Sequence, residues 1–314
     1  MNSRCLFPYL RLCAFVVMLL PVLYSISAAA QDTTVDKQIQ KSTFIYNTHD
    51  TDVLKMDVYR LQAGGKKQVC VLFVFGGGFY TGRRDQVYYN AYFNTLVRQG
   101  YTVASIDYRL GLKGGKKVTP FKTKPLKEAI AMAVTDLYDA TAYLIAHADE
   151  LGIDTGKIII SGSSAGAITA LQADWEKRNH TSLTTALPEA FQYKGVIAFA
   201  GAILSYKGVL DYKIPPAPTM LFHGTADKVV TYNKIRFFNK GFFGSQYLAC
   251  RFKKKQYPYY FRRVHNRGHE IAGTPMYENL GEITWFIHNY VLQQKPWMIE
   301  YDFNDLNARP TFTP

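Results

Sequence analysis

Cysteine is scarce: the 314-residue chain has four, and Cys5 and Cys13 fall in the first thirty residues, leaving Cys70 in an apolar stretch and Cys250 in a basic one. Two cysteines so distant in sequence make no disulfide framework, so neither an essential bridge nor a metal site is expected. Long apolar runs are equally rare. The one present covers residues 14–23 (AFVVMLLPVL). No later stretch reaches the ~18 residues a membrane helix needs, so a soluble mature chain is expected. Acid is in short supply as well, with 24 Asp and Glu against 37 Lys and Arg, a net +13. Without a zinc-finger, basic-zipper or RNA-binding signature, that excess does not amount to a nucleic-acid argument, and no nucleic-acid partner is expected. The GGKK stretches at 64–67 and 114–117 lack the outer glycine and the Ser/Thr of a phosphate loop. What is plentiful is apolar material, 48% hydrophobic against 19% charged. This composition excludes a disordered, collagenous or coiled-coil chain and is ample for a large core.

Arg4 and Arg11 precede the apolar run, and Ser27-Ala28-Ala29-Ala30 follows it. A positive start, a short apolar stretch and a small-residue cleavage site read as a secretory signal peptide over 1–30. Pro21 and the shortness of the run disfavour an uncleaved anchor. The expected location is secreted or periplasmic, with no stable membrane insertion after cleavage. The segment holds two basic residues and no acid, so the rest of the chain keeps a net +11, read here as a solvated basic face.

Residues 31–42 are polar and read as a leader, 43–295 as one domain, and 296–314 as a C-terminal tail. Residues 43–47 and 53–60 alternate apolar and polar around His49-Asp50-Thr51-Asp52, a hairpin signal. Residues 69–75 (VCVLFVF) are continuously apolar, as in a strand buried on both faces. Apolar strands then alternate with helical patterns, the longest at 126–150, which predicts a mostly parallel α/β sheet with an antiparallel edge hairpin and helices on both faces. Residues 232–243 read as partly helical. Residues 111–127 form a basic loop with three glycines, a mobile flap or a solvated surface loop.

Residues 158–166 read IIISGSSAG. An apolar strand runs into Gly162-Ser163-Ser164-Ala165-Gly166 and a helical pattern follows, which is G-x-S-x-G in its strand–turn–helix setting. The alternative is an ordinary Gly/Ser turn. Such a turn lifts the Ser164 hydroxyl clear of the sheet and aims the unpaired N–H groups of a helix N-terminus at it. A serine hydroxyl needs a base, and the base an orienting carboxylate, which follow in the order acid then histidine. Asp227 lies in TMLFHGTADKVV after a buried strand, and His269 in NRGHEIA after the next. His265 is the rival base; His269 is favoured because Gly268 lets its loop approach the serine. His223 reads as a packed or loop-bracing residue, and Glu270 and Asp211 are weaker acids than Asp227. An oxyanion formed on attack needs donors: the N–H of Ala165, and others from the glycines of Phe75-Gly76-Gly77-Gly78-Phe79.

Taken together, FGGGFYTGRRD, SIDYRL, GIDTGKIIISGSSAG, LFHGTADKVV and GHEIAGTP resemble the secreted carboxylesterase branch of the α/β-hydrolase family, near hormone-sensitive-lipase-like and kynurenine-formamidase-like esterases. The match runs from about residue 43 to 292. The resemblance implies an α/β-hydrolase fold with an eight-stranded sheet whose second strand is antiparallel. It implies nucleophile Ser164, acid Asp227, base His269 and oxyanion donors Gly77, Gly78 and Ala165, with Gly76 in support and Asp107 and Arg109 bracing the oxyanion loop. It implies no cofactor. Relatives usually carry His where Phe75 stands, which puts the bracing of the loop in question. No large cap insertion is evident, which favours small soluble esters or acyl-decorated glycans. A peptidase or formamidase with the same residues, or a non-catalytic carbohydrate-binding protein on this fold, are the other readings. Oligomeric state is not readable from the sequence.

Overall fold

The structure is a computed structural model that describes residues 39–62, 67–115, 118–119 and 122–304. The signal peptide and most of the polar leader read from the sequence lie outside them. Twelve strands occur among the described residues: β1 (Ile39–His49), β2 (Asp52–Leu61), β3 (Gln68–Val74), β4 (Thr102–Ile106), β5 (Ile153–Ser163), β6 (Gly195–Phe199), β7 (Ala202–Ser205), β8 (Thr219–Gly224), β9 (Lys234–Phe237), β10 (Lys240–Gly244), β11 (Tyr259–Val264) and β12 (Met298–Phe303). The helices that matter below are α1 (Asn90–Arg98), α2 (Lys124–Ala146), α3 (Ala165–Arg178), α4 (Ser245–Lys255) and α5 (Leu280–Phe286).

Nine strands form one sheet in the order β1-β2-β4-β3-β5-β6-β8-β11-β12, and β7-β10-β9 form a small second sheet. β2 pairs antiparallel with both β1 and β4. From β4 to β12 every neighbouring pair is parallel. This is the α/β-hydrolase fold, mostly parallel and flanked by helices on both faces. The central strands are apolar throughout because both faces are covered: Cys70 to Val74 of β3 are fully buried, each large side chain there contributing about 1.5–3 kcal/mol by leaving water. Phe73 meets the rings of Tyr89, Tyr92 and Phe93 at α1. α3 is buried on almost every side, because it lies between the main sheet, α2 and β7. Tyr138 of α2 donates to the Ala173 carbonyl of α3, and Gln172 of α3 accepts from the Leu204 N–H of β7.

The structure corrects three expectations. The sheet has a ninth strand, β12, inside the stretch read as a tail. Residues 298–303 (MIEYDF) alternate apolar and acidic side chains, as in an edge strand, and both kinds meet the neighbour: Arg263 of β11 pairs with Glu300 and Asp302, and Arg262 lies over the rings of Tyr301 and Phe303. β1 starts at Ile39, so residues 39–42 of the leader belong to the sheet. Residues 232–243 are not helical; they hold the hairpin of β9 and β10, whose two-residue turn is Phe238-Asn239 rather than the Asn-Gly that marks such turns in sequence.

Candidate active site

The parallel strands end on one rim. There β5 turns directly into α3 through Ser164, whose φ of 50° lies in the left-handed region. A non-glycine residue held so costs of order 1–3 kcal/mol. Both flanking glycines are obligatory. A Cβ on Gly162 would lie 2.2 Å from the Gly166 carbonyl oxygen, and one on Gly166 would lie 2.0 Å from that of Val74. The Ser164 N–H donates to Phe199 O at the end of β6, which pins the turn to the sheet.

Ser164 Oγ is 2.8 Å from His269 Nε2, and His269 Nδ1 is 2.8 Å from Asp227 Oδ2. The three residues proposed from sequence order thus converge, with the serine and the carboxylate buried and the imidazole partly open. The loops carrying acid and base are packed on each other: Ala226 N–H donates to Arg267 O, and a Cβ on Gly224 would lie 2.2 Å from that same oxygen. The other Asp227 oxygen accepts the N–H groups of Val229 and Val230. Burial pushes the Asp227 carboxyl up, but hydrogen bonds from His223 and His269 outweigh it and hold it well below the usual carboxylate range. The rivals are elsewhere. His265 pairs with Asp302 on the edge strand, Asp211 with Arg251, and Glu270 accepts the N–H of Gly268.

The glycine loop lies against the nucleophile. A Cβ on Gly76 would sit 3.0 Å from Ser163 O and 3.3 Å from Ser164 Cβ. Gly77 (φ 124°) turns the chain so that its carbonyl accepts from Tyr80 and Thr81. Among the described residues, the N–H groups of Gly77, Gly78 and Ala165 have no acceptor in the protein, so all three are available to an oxyanion.

Bracing of this loop differs in part from expectation. Asp107 takes part: Arg84, at the end of the glycine loop, bridges Asp107 (2.7 Å) and Asp57 (3.1 Å). Arg109 does not reach the loop; its guanidinium binds Asp136 of α2. The resemblance implied Arg109 for this place, whereas the loop supplies its own arginine. Phe75 is braced without a histidine. Its ring lies 4.5 Å from that of Tyr108, the Tyr108 hydroxyl donates to Phe75 O, and Gly76 N–H donates to the Tyr89 hydroxyl. Ser163 is structural, as its poorer fit to the elbow pattern leads one to expect: its Oγ donates to Ala272 O at 2.7 Å, tying the elbow to the histidine loop.

Among the described residues one group of side chains has metal-ligand atoms close together, His49, Asp136 and Asp139, within 4.8 Å of one another. Its charge is already met, since Arg109 holds Asp136 and the Asn47 amide donates to Asp139.

Comparison with known proteins matches this architecture. The profile of the BD-FAE family covers residues 56–214, half of the chain, including the glycine loop and the serine elbow. The chain belongs to the BD-FAE family. That places it among the α/β-hydrolase carboxylesterases. Lipase 2 of Moraxella sp. (strain TA144) is 32% identical over 104 residues, 33% of this chain and 20% of the relative; the chain thus spans about a fifth of that relative's length. Among solved structures, the native thermophilic esterase Est2 of Thermogutta terrifontis superposes with a TM-score of 0.59 at 19% identity, over 79% of this chain and 92% of the other. The same esterase phosphoramylated by tabun gives 0.60 at 21%, over 79% and 94%. At such identity the likeness is one of fold. The BD-FAE match ends at residue 214, so Asp227 and His269 lie beyond it.

Proposed function

We propose that this BD-FAE member is a serine carboxylic-ester hydrolase acting through Ser164, His269 and Asp227 on small soluble esters or acyl-decorated glycans. The observation that carries the reading is the unbroken relay at the strand–helix elbow, with hydrogen-bond contacts of 2.8 Å on each side of one imidazole. His269 Nε2 takes the Ser164 proton as Oγ attacks the ester carbonyl. Asp227 fixes the tautomer with the proton on Nδ1 and stabilises the imidazolium. The developing oxyanion is met by the N–H groups of Gly77, Gly78 and Ala165, each such donor worth ~2.7–4 kcal/mol in the transition state. The imidazolium protonates the leaving alcohol. Water, deprotonated by the same nitrogen, then releases the acid and restores the serine.

Three further observations support the reading. The elbow strain at Ser164 serves no packing purpose but presents the hydroxyl. The relatives are named an esterase and a lipase. The Thermogutta esterase was solved with propionate bound and with phosphorus attached by tabun, which suggests short acyl groups and organophosphate reactivity here too. The N-terminal segment, with its two arginines and short apolar run, supports a secreted or periplasmic protein.

The test is labelling by a fluorophosphonate probe, followed by peptide mapping and a panel of acetyl, butyryl and feruloyl esters and acetylated xylan. The expected adduct is on Ser164, with Ser164→Ala unlabelled and turnover lowered by roughly five to six powers of ten. A wild-type chain that is neither labelled nor active on any ester would assign the fold to a binding role and overturn the proposal.

A further inference from the structure

The small sheet carries a surface that the ester chemistry does not use. Its inner face is core: Phe243 and Ile203 stand opposite each other across β10 and β7 and are buried. The outer face of such an antiparallel sheet normally carries polar side chains. Here Ile235 of the edge strand is exposed, in direct register with Phe242, which is half-buried, and Leu204, which is buried. The edge strand β9 lies entirely exposed, with Ile235 at 62% and Phe237 at 52%, and the turn residue Phe238 reaches 80%. Phe238 also adopts φ 51°, at a turn position that favours Asn or Gly. Its ring packs edge-on against that of Phe237 at 4.7 Å, so the two form one exposed aromatic pair at the tip of the hairpin.

Charge surrounds these rings. Residues 202–244 hold six basic and two acidic side chains. Both acids are committed, Asp227 to the histidines and Asp211 to Arg251. Lys234 and Arg236 stand on the edge strand itself, and Lys240 faces outward beside Phe237 and over the Tyr206 ring. Lys127, in the first turn of α2, covers the same Tyr206 ring, so a second cation stands beside Lys240. Edge-strand cations guard against pairing with a second copy. Side chains that stack sugars are chiefly Trp and Tyr, with a polar handle, whereas Ile and Phe have none. Apolar tips ringed by Lys and Arg suit the boundary between anionic headgroups and acyl chains.

We propose that the β9–β10 hairpin docks the protein on anionic phospholipid bilayers, Ile235, Phe237 and Phe238 entering the interface and Arg236 and Lys240 contacting headgroups. The inference does not depend on the ester chemistry. The test is co-sedimentation of the full chain with vesicles of roughly one phosphatidylglycerol to three phosphatidylcholines, against pure phosphatidylcholine, at low salt and at about 0.5 M salt. Two double variants are compared with wild type: Phe237→Ser with Phe238→Ser, and Arg236→Glu with Lys240→Glu. All carry the same residues 1–38, so any binding through that segment is common to them and cancels. Circular dichroism melting checks that the exposed substitutions leave the fold intact. The expected result is wild-type partitioning onto the anionic vesicles at low salt, lowered about tenfold or more by either variant and by salt. No wild-type binding, or equal binding by all three chains, overturns the proposal. So does salt-sensitive retention on heparin or pectin that the variants lose in the absence of vesicle binding, which gives the face to a polysaccharide. A wild-type dimer that the variants dissociate gives it to a second copy and overturns it too.

Discussion

Asp227 Oδ2 meets two imidazoles: His269 Nδ1 at 2.8 Å and His223 Nε2 at 3.3 Å. His223 is fully buried, and its Nδ1 is 2.8 Å from Ser245 Oγ at the start of α4. The helix thus reaches the carboxylate through one ring. His223 touches neither substrate nor serine, so it is a positioning residue.

The first prediction concerns that ring. His223→Phe removes a hydrogen bond to a charged acceptor, worth about 1.5–3 kcal/mol. The rate of fluorophosphonate labelling at Ser164 should fall roughly tenfold or more while KM for a small ester stays near wild type. His223→Gln, which keeps a donor, should recover part of the loss. Equal rates in His223→Phe and wild type would separate this ring from the relay.

A second prediction follows from the depressed carboxyl of Asp227. A group whose pKa is lowered on folding stabilises the fold above its unfolded value, ordinarily 3.8 here, and loses that contribution as pH falls through the lower folded value. The difference in unfolding free energy between wild type and Asp227→Asn should therefore be level above about pH 5 and shrink below about pH 4. Denaturant melts across that range measure it. Turnover of the variant should drop by about four powers of ten, because the amide holds the wrong tautomer.

The glycine loop supplies a third. A Cβ on Gly77 would lie 2.0 Å from Thr81 O, whereas one on Gly78 would meet no atom closer than Tyr80 Cδ2 at 3.3 Å. Gly77→Ala should lower turnover by roughly a hundredfold or more by displacing a donor. Gly78→Ala, strained only by its φ of 65°, should cost about 1 kcal/mol of stability and much less activity. Turnover and thermal melts of the two variants, measured side by side, decide it.

A fourth uses the thiols. Cys70 and Cys250 are both free, the first buried and the second exposed. Burial pushes the Cys70 thiol up to about 12, so little thiolate exists at neutral pH. Iodoacetamide should alkylate Cys250 in the native protein and reach Cys70 only after denaturation, as read by peptide mass. Native labelling of Cys70 would contradict its place in β3.

Ser164, Asp227 and His269 were legible in the sequence because each sits in a short local pattern, a glycine-flanked turn or a loop just after an apolar strand, and because their order is fixed by the topology. The braces were not legible. Arg84 to Asp107, Ser163 to Ala272 and His223 to Asp227 are contacts between side chains and loops whose meeting depends on the finished fold, with no local signature. Arg109 illustrates the same point: the resemblance implied a brace on the glycine loop, but the finished fold gives its guanidinium to Asp136 of α2. The alternation Ile299-Glu300-Tyr301-Asp302-Phe303 is a local strand signal that was open to reading, whereas the β9–β10 hairpin was hidden because Phe238 occupies a turn position where glycine or asparagine would have signalled it.

The ring of Phe75 against Tyr108 bears on how acidity acts on the protein. A histidine at 75 would gain a proton within the mildly acidic range and could reshape the loop as it did so. A phenyl ring has no proton to exchange, and burial moves the Tyr108 hydroxyl further up still. This ring pair consequently holds the start of the glycine loop by contact alone, and acid has no proton to add to it.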